Sequence, residues 1–206
     1  MATIAFVFPG QGSQYVGMGK DLYHQSASSR ELFDKADAIL GFPLSKVCFE
    51  GPEDELRQTR NTQPAIFLHS MAVTSALNRL NANMVAGHSL GEYTALVAGG
   101  ALSFEDGLKL VRLRGQLMQR AGEMNKGTMA AVVGLDPDAI EKICAEACAA
   151  GVVQPANFNS PGQIVISGSV EGVRKAMEIA KRRGAKLVIE LVVSGAFHSP
   201  HMESAK

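Results

Sequence analysis

From residue 128 onward the sequence carries one recognisable order of elements. "TMAAVVGL" is an apolar, β-rich run, and "DPDAIEKICAEACAAG" has helical periodicity behind Asp136, a residue suited to an N-cap. "VVQPANFNSPGQIVISG" holds two strand-like runs joined by an Asn/Ser/Pro/Gly turn, "SVEGVRKAMEIAKRRG" is a second helix, and "AKLVIELVV" is a last strand. The order β-α-β-β-α-β is that of a ferredoxin-like split unit.

The preceding residues have a different rhythm. "TIAFVF", stopped by Pro9-Gly10, reads as a strand buried on both faces. Two helices follow, "SSRELFDKADAIL" and "PAIFLHSMAVTSALNRL", the second with Pro64 at a first-turn position. "MVA" is a short strand, "LGEYTALVAGG" a helix, and Ser103 with Asp106 makes a capping-box-like start for a helix running through Arg120. Alternating strands and helices imply an α/β fold, a mostly parallel sheet with helices on its faces. The expected organisation is a larger subdomain over 1–123, a small inserted one over 124–195 and a loop over 196–206 returning toward the first.

A chain of 206 residues can bury roughly 70% of its extended surface, and 46% hydrophobic against 19% charged residues excludes disorder. Lys plus Arg and Asp plus Glu are 20 each, so no overall field draws the protein to nucleic acid or membrane. The odd number of cysteines, with Cys144 and Cys148 at helical spacing and no histidine near them, argues for free thiols in a reducing cytoplasm. "MATIAFVFPG" lacks a basic leader region, and no apolar run approaches the ~20 residues that span a bilayer.

Gly87-His88-Ser89-Leu90-Gly91 places a serine between two glycines, after a strand and before a helix. On a sharp strand-to-helix turn the glycines remove side chains that would clash, and the hydroxyl stands exposed. The Leu90 amide, at a helix N-terminus, can donate to an oxyanion. A helix cap is the other reading of Ser89. A serine needs a base. His24 and His69 fall in amphipathic helices, and His88 should point away from Ser89 in a supporting role. His198, after a strand end and a glycine in "VVSGAFHSPHM", is the candidate; His201 makes H-x-x-H with it, but no third metal ligand is evident.

Five motifs in order, "FVFPGQGSQ" at 6–14, "GHSLGEY" at 87–93, "RLRG" at 112–115, "NFNSPGQ" at 157–163 and "SGAFHS" at 194–199, resemble the malonyl-CoA:acyl carrier protein transacylase family and its polyketide synthase relatives. The resemblance covers essentially the whole chain. It implies an α/β-hydrolase-like core carrying a ferredoxin-like subdomain. It also implies Ser89 as nucleophile, His198 as base, and the amides of Gln11 and Leu90 as the oxyanion hole. Of the two arginines in "RLRG", which cannot share a helix face, it selects Arg114 to grip the malonyl carboxylate and leaves Arg112 solvated. "GAFH" resembles the "HAFH" of malonyl-selective polyketide acyltransferases, with Gly195 replacing the first histidine, which brings Phe197 into the substrate site. Asn157 and Asn159 would shape the site, and turn chemistry accounts for them equally.

The implied reaction is ping-pong: malonyl passes from CoA to Ser89, then to the phosphopantetheine thiol of an acyl carrier protein, in fatty acid biosynthesis. Malonyl-CoA is the substrate, and no cofactor or metal is implied. Lys181, Arg182, Arg183 and Lys186 in "KRRGAK" are candidates for carrier docking, or simply a solvated helix end. The protein is expected to be a cytoplasmic monomer, with a plastid location open if a transit peptide has been removed. Members of the family run longer than this chain, which ends soon after His198. The expectation is therefore a C-terminally incomplete core, exposed apolar surface and weak or absent activity. The competing readings are a serine thioesterase and a non-catalytic interaction module.

Overall fold

The four-residue strand register Ala5↔Met84 through Phe8↔Gly87 joins β1 (Ala5–Phe8) to β2 (Met84–Gly87) in parallel. A computed structural model describes residues 3–77 and 82–206, in two compact units, Met1–Gln116 and Leu117–Lys206. In the first unit the chain between the strands forms α1 (Lys20–Gln25), α2 (Ala27–Leu40), α3 (Leu44–Glu50), α4 (Glu53–Leu56) and α5 (Thr59–Ala76). After β2 come α6 (Gly91–Ala98) and α7 (Phe104–Met124), whose residues up to Gln116 belong to this unit and the rest to the second. Ser26 caps α2 by accepting from the Ser29 amide, and Gly41 ends it in the left-handed region. Ser103 begins α7 as its N-cap: its hydroxyl accepts from the Asp106 amide at 3.0 Å and donates to the Asp106 carboxylate at 2.7 Å.

The core of this unit gathers around α5, where Ile66, Phe67 and Leu68 meet Phe33, Leu44, Leu56, Leu90 and Leu108, all fully enclosed. Two sequence expectations change here. The strand β1 is not buried on both faces: Phe8 is enclosed, but Val7 is 73% exposed, because β1 and β2 form only a two-stranded sheet among the described residues. Nor does Pro64 open its helix. The helix α5 starts at Thr59, so the proline lies inside it, and residues 78–80 of the predicted helix fall outside the described residues.

The second unit contains β3 (Thr128–Val133), α8 (Pro137–Ala147), β4 (Val153–Ser160), β5 (Gln163–Gly168), α9 (Val170–Arg182) and β6 (Leu187–Glu190). Its strands lie in the order β4-β5-β3-β6, every neighbour antiparallel, which is the arrangement of a split β-α-β pair. Asp136 caps α8, accepting from the Ala139 amide at 2.7 Å, and Ser169 caps α9. Ala130, Val132, Ile164 and Ile166 face Ile140, Ile143, Val173 and Ile179 of the helices. On the other face Met129 and Val165 pack against Met118, Ala121, Phe197 and Met202.

The three cysteines are free. Burial pushes the thiols of Cys48 and Cys144 up to about 12, whereas Cys148 is exposed. Native chain treated with iodoacetamide should therefore label Cys148 alone, and all three after denaturation; comparable native labelling of Cys48 or Cys144 would contradict the packing. Among the described residues no helix is long and apolar enough to cross a membrane.

Candidate active site

The turn from β2 into α6 is built by two glycines that no other residue could replace. A Cβ on Gly87 would lie 1.9 Å from the Gly91 carbonyl carbon, and one on Gly91 would lie 2.2 Å from the Phe8 carbonyl oxygen. The backbone thus folds onto itself and onto β1. Ser89, between them, is held at φ 52°, a left-handed conformation uncommon outside glycine. The His88 amide donates to the Phe8 carbonyl at 3.0 Å, and the Gly91 and Tyr93 amides close the first turns on His88 and Leu90 at 2.9 and 3.0 Å. Leu90 is 1% exposed, so its side chain anchors the turn while its amide stays at the start of α6.

The serine is not isolated. Arg114 Nη2 donates to Ser89 Oγ at 3.2 Å, and its Nη1 donates to Gln63 Oε1 at 2.8 Å. The guanidinium carbon lies 5.7 Å from the centre of the Tyr93 ring. Burial lowers the Arg114 pKa from its ordinary value, and Tyr93 and Glu92 oppose the shift; a guanidinium remains a cation throughout. A fixed positive charge therefore sits within hydrogen-bond reach of the hydroxyl, where an acyl group on that oxygen could present an anion.

Sequence reasoning missed the platform that supports Arg114. Thr59, Asn61, Thr62 and Gln63 are consecutive or nearly so, polar, and all buried. Their signal is only a polar stretch before an apolar helix: Thr62 donates locally to the Leu56 carbonyl at 2.6 Å, but Thr59, Asn61 and Gln63 accept from Gln11, Arg112 and Arg114, some fifty residues away. Arg112 corrects another expectation. It is not solvated: its Nη1 donates to the Arg60 carbonyl at 2.6 Å and to Asn61 Oδ1 at 2.9 Å. The two arginines do diverge as expected, yet both reach the start of α5.

Gln11 lies in the loop after β1. Its Nε2 donates to Thr59 Oγ1 at 3.3 Å, and its buried Oε1 has no hydrogen-bond partner. A Cβ on Gly10 would approach both His88 Nδ1 and the His88 carbonyl oxygen at 2.7 Å, so this loop closes on the serine turn with the His88 ring against it. His69 is packed in α5 against Tyr15, with its pKa lowered chiefly by burial. His24 is exposed at the end of α1.

In the second unit His198 is exposed and, like Ser89, has a positive φ, 57°. Gln154 Nε2 donates to its carbonyl oxygen at 3.0 Å. Ser199 donates to the Ala196 carbonyl at 2.6 Å and begins the closing 3-10 turn. Phe197 is enclosed in the core of this unit. Asn157 and Asn159 are not turn residues: they belong to β4, whose register shifts at Pro155/Asn157 and at Phe158/Ser160, and the turn is Pro161-Gly162. Arg183 pairs with Glu146 at 2.5 Å. Among the described residues no group of three or more potential metal ligands is found.

Comparison with known proteins adds to this geometry. The acyl transferase domain family matches residues 5–206. The malonyl CoA-acyl carrier protein transacylase of Bacillus subtilis (strain 168) is 50% identical over 208 residues, covering 100% of this chain and 66% of that protein. An acyl-carrier-protein S-malonyltransferase from Burkholderia pseudomallei 1710b superposes with a TM-score of 0.92 at 48% identity, over 99% of this chain and 67% of that one. The malonyl-transacylase solved in complex with a type II PKS acyl-carrier protein gives 0.93 at 42% identity, again over 99% and 67%. The chain spans about two thirds of the length of these relatives.

Proposed function

Because the chain belongs to the acyl transferase domain family, we propose that it carries a malonyl group from CoA to the thiol of an acyl carrier protein through an ester on Ser89. The observation that carries this reading is the 3.2 Å contact from Arg114 to Ser89 Oγ. A simple ester or thioester hydrolase has no need of a cation there, whereas a malonyl half-ester bears a carboxylate. In a half-buried site a two-pronged guanidinium contact outweighs the same contact in water.

In the forward half-reaction Ser89 Oγ attacks the thioester carbonyl, the C–S bond breaks and the CoA thiol leaves with a proton. In the second, the carrier's phosphopantetheine thiol attacks the ester and Ser89 regains its proton. The reading assigns proton transfer to His198 and the oxyanion to the amides of Leu90 and Gln11. Asn157 and Asn159 would contribute to substrate binding from β4, and "KRRGAK" to carrier docking. The relatives' names and the solved carrier complex support malonyl-CoA and acyl carrier protein as substrates. Three free thiols suit a cytoplasmic protein. The chemistry needs no cofactor, and the protein is taken to act as a monomer.

Intact-mass measurement after mixing with malonyl-CoA tests this. One malonyl group should appear on Ser89. In Arg114→Ala the loss of a charge-assisted contact of about 2–3 kcal/mol should slow malonyl loading ~10²-fold while acetyl loading from acetyl-CoA changes little. No adduct in the unmodified chain, or steady release of free malonate without an acceptor, would refute the transferase reading.

A further inference from the structure

The residues 112–115, Arg-Leu-Arg-Gly, meet α5 at three places, and the reading above uses only that of Arg114. Pro64 lies six residues into α5 and has no N–H, so the helix offers the Arg60 carbonyl no amide at i+4. Arg112 reaches this carbonyl from α7. Its Nη1 donates to Arg60 O at 2.6 Å and to the side-chain oxygen of buried Asn61 at 2.9 Å, and its guanidinium carbon stacks 4.5 Å from the centre of the Phe42 ring. Next to it Gly115 brings the two backbones together: a Cβ there would lie 2.8 Å from Thr59 O. Gln63, the residue before the proline, is 1% exposed and accepts from Arg114.

We propose that Arg112 is a positioning residue that replaces the amide missing at Pro64 and, by fixing residues 60–63 of α5, holds the Gln63–Arg114 pair at Ser89. A proline inside a helix opens the backbone at i−4, and a bend with no external donor has no single geometry. The charged donor of Arg112 selects one. Gln63 lies between Asn61 and Pro64 in this same turn, so Arg114 is set by the same contact although it does not touch Arg112. The proposal rests on the reading of Arg114 as the carboxylate grip.

The test is a double-mutant cycle on this chain with Arg112→Met, Pro64→Ala and both, read by thermal unfolding and by loading from malonyl-CoA and acetyl-CoA. Arg112→Met should lower Tm by about 4–8 °C. In the Pro64→Ala background, where an amide again faces Arg60 O, that loss should shrink to less than about half, since coupled sites are not additive. Malonyl loading by Arg112→Met should fall about tenfold or more with acetyl loading within about twofold, and Arg112→Lys should recover part of the difference. Strictly additive Tm losses, or equal loss of both loadings, would overturn the proposal. If the unmodified chain loads neither acyl group, the transferase reading fails, and the Tm cycle alone decides for or against the Pro64–Arg112 exchange.

Discussion

Ser89→Ala should leave the chain folded and abolish the acyl-enzyme, with malonyl transfer reduced by at least about 10⁴-fold. The side chain removed is a single oxygen on a half-buried residue whose backbone is already fixed by Gly87, Gly91 and the first turn of α6. Alanine accepts the same φ of 52° at a cost close to that of serine, so Tm should change little. The Arg114 Nη2 loses one acceptor but keeps Gln63 through its other nitrogen. Ser89→Cys serves as the companion variant: it retains a nucleophile at the same point and should still form an adduct. A malonyl adduct persisting in Ser89→Ala, located by peptide mapping to any other side chain, would show that the turn presents the wrong atom.

The legible part of this molecule is the part written in adjacent residues. Gly-x-Ser-x-Gly after a strand and before a helix contains its own geometry, because both glycines act within the same turn. The caps at Ser103 and Asp136 are readable for the same reason: each side chain satisfies an amide three residues away. The split β-α-β order of the second unit followed from strand and helix periods alone. What stayed hidden depends on distant partners. A proline is commonest in the first turn of a helix, and nothing local announces that Arg112, 48 positions on, supplies a donor that lets Pro64 sit inside one. Asn61 and Gln63 look like part of a solvated stretch until the arginines of α7 are in place. For β1, the apolar run gave the strand correctly but could not say how many neighbours would cover it.

The largest structural effect is expected at the two glycines of the serine turn. In Gly87→Ala the new methyl would lie 1.9 Å from one backbone atom of Gly91 and 2.2 Å from the Glu92 nitrogen; in Gly91→Ala it would lie 2.2 Å from Phe8 O and 2.9 Å from Pro9 O. None of these is the end of a flexible side chain, so relief requires separating α6 from β1 or opening the turn itself. Overpacking of this kind costs more than the usual ~1–3 kcal/mol, and about 4 kcal/mol or above corresponds to a fall of roughly 8–16 °C in Tm. Gly41→Ala is the control. There φ is 71° and nothing lies within 4 Å, so only the conformational term of about 1–2 kcal/mol applies. The comparison separates two reasons for glycine: at 41 the backbone angle, at 87 and 91 the absence of a side chain. If Gly87→Ala and Gly91→Ala unfold no earlier than Gly41→Ala, the close approach that exposes Ser89 is not a feature of this fold, and the case for its hydroxyl as nucleophile loses its physical basis.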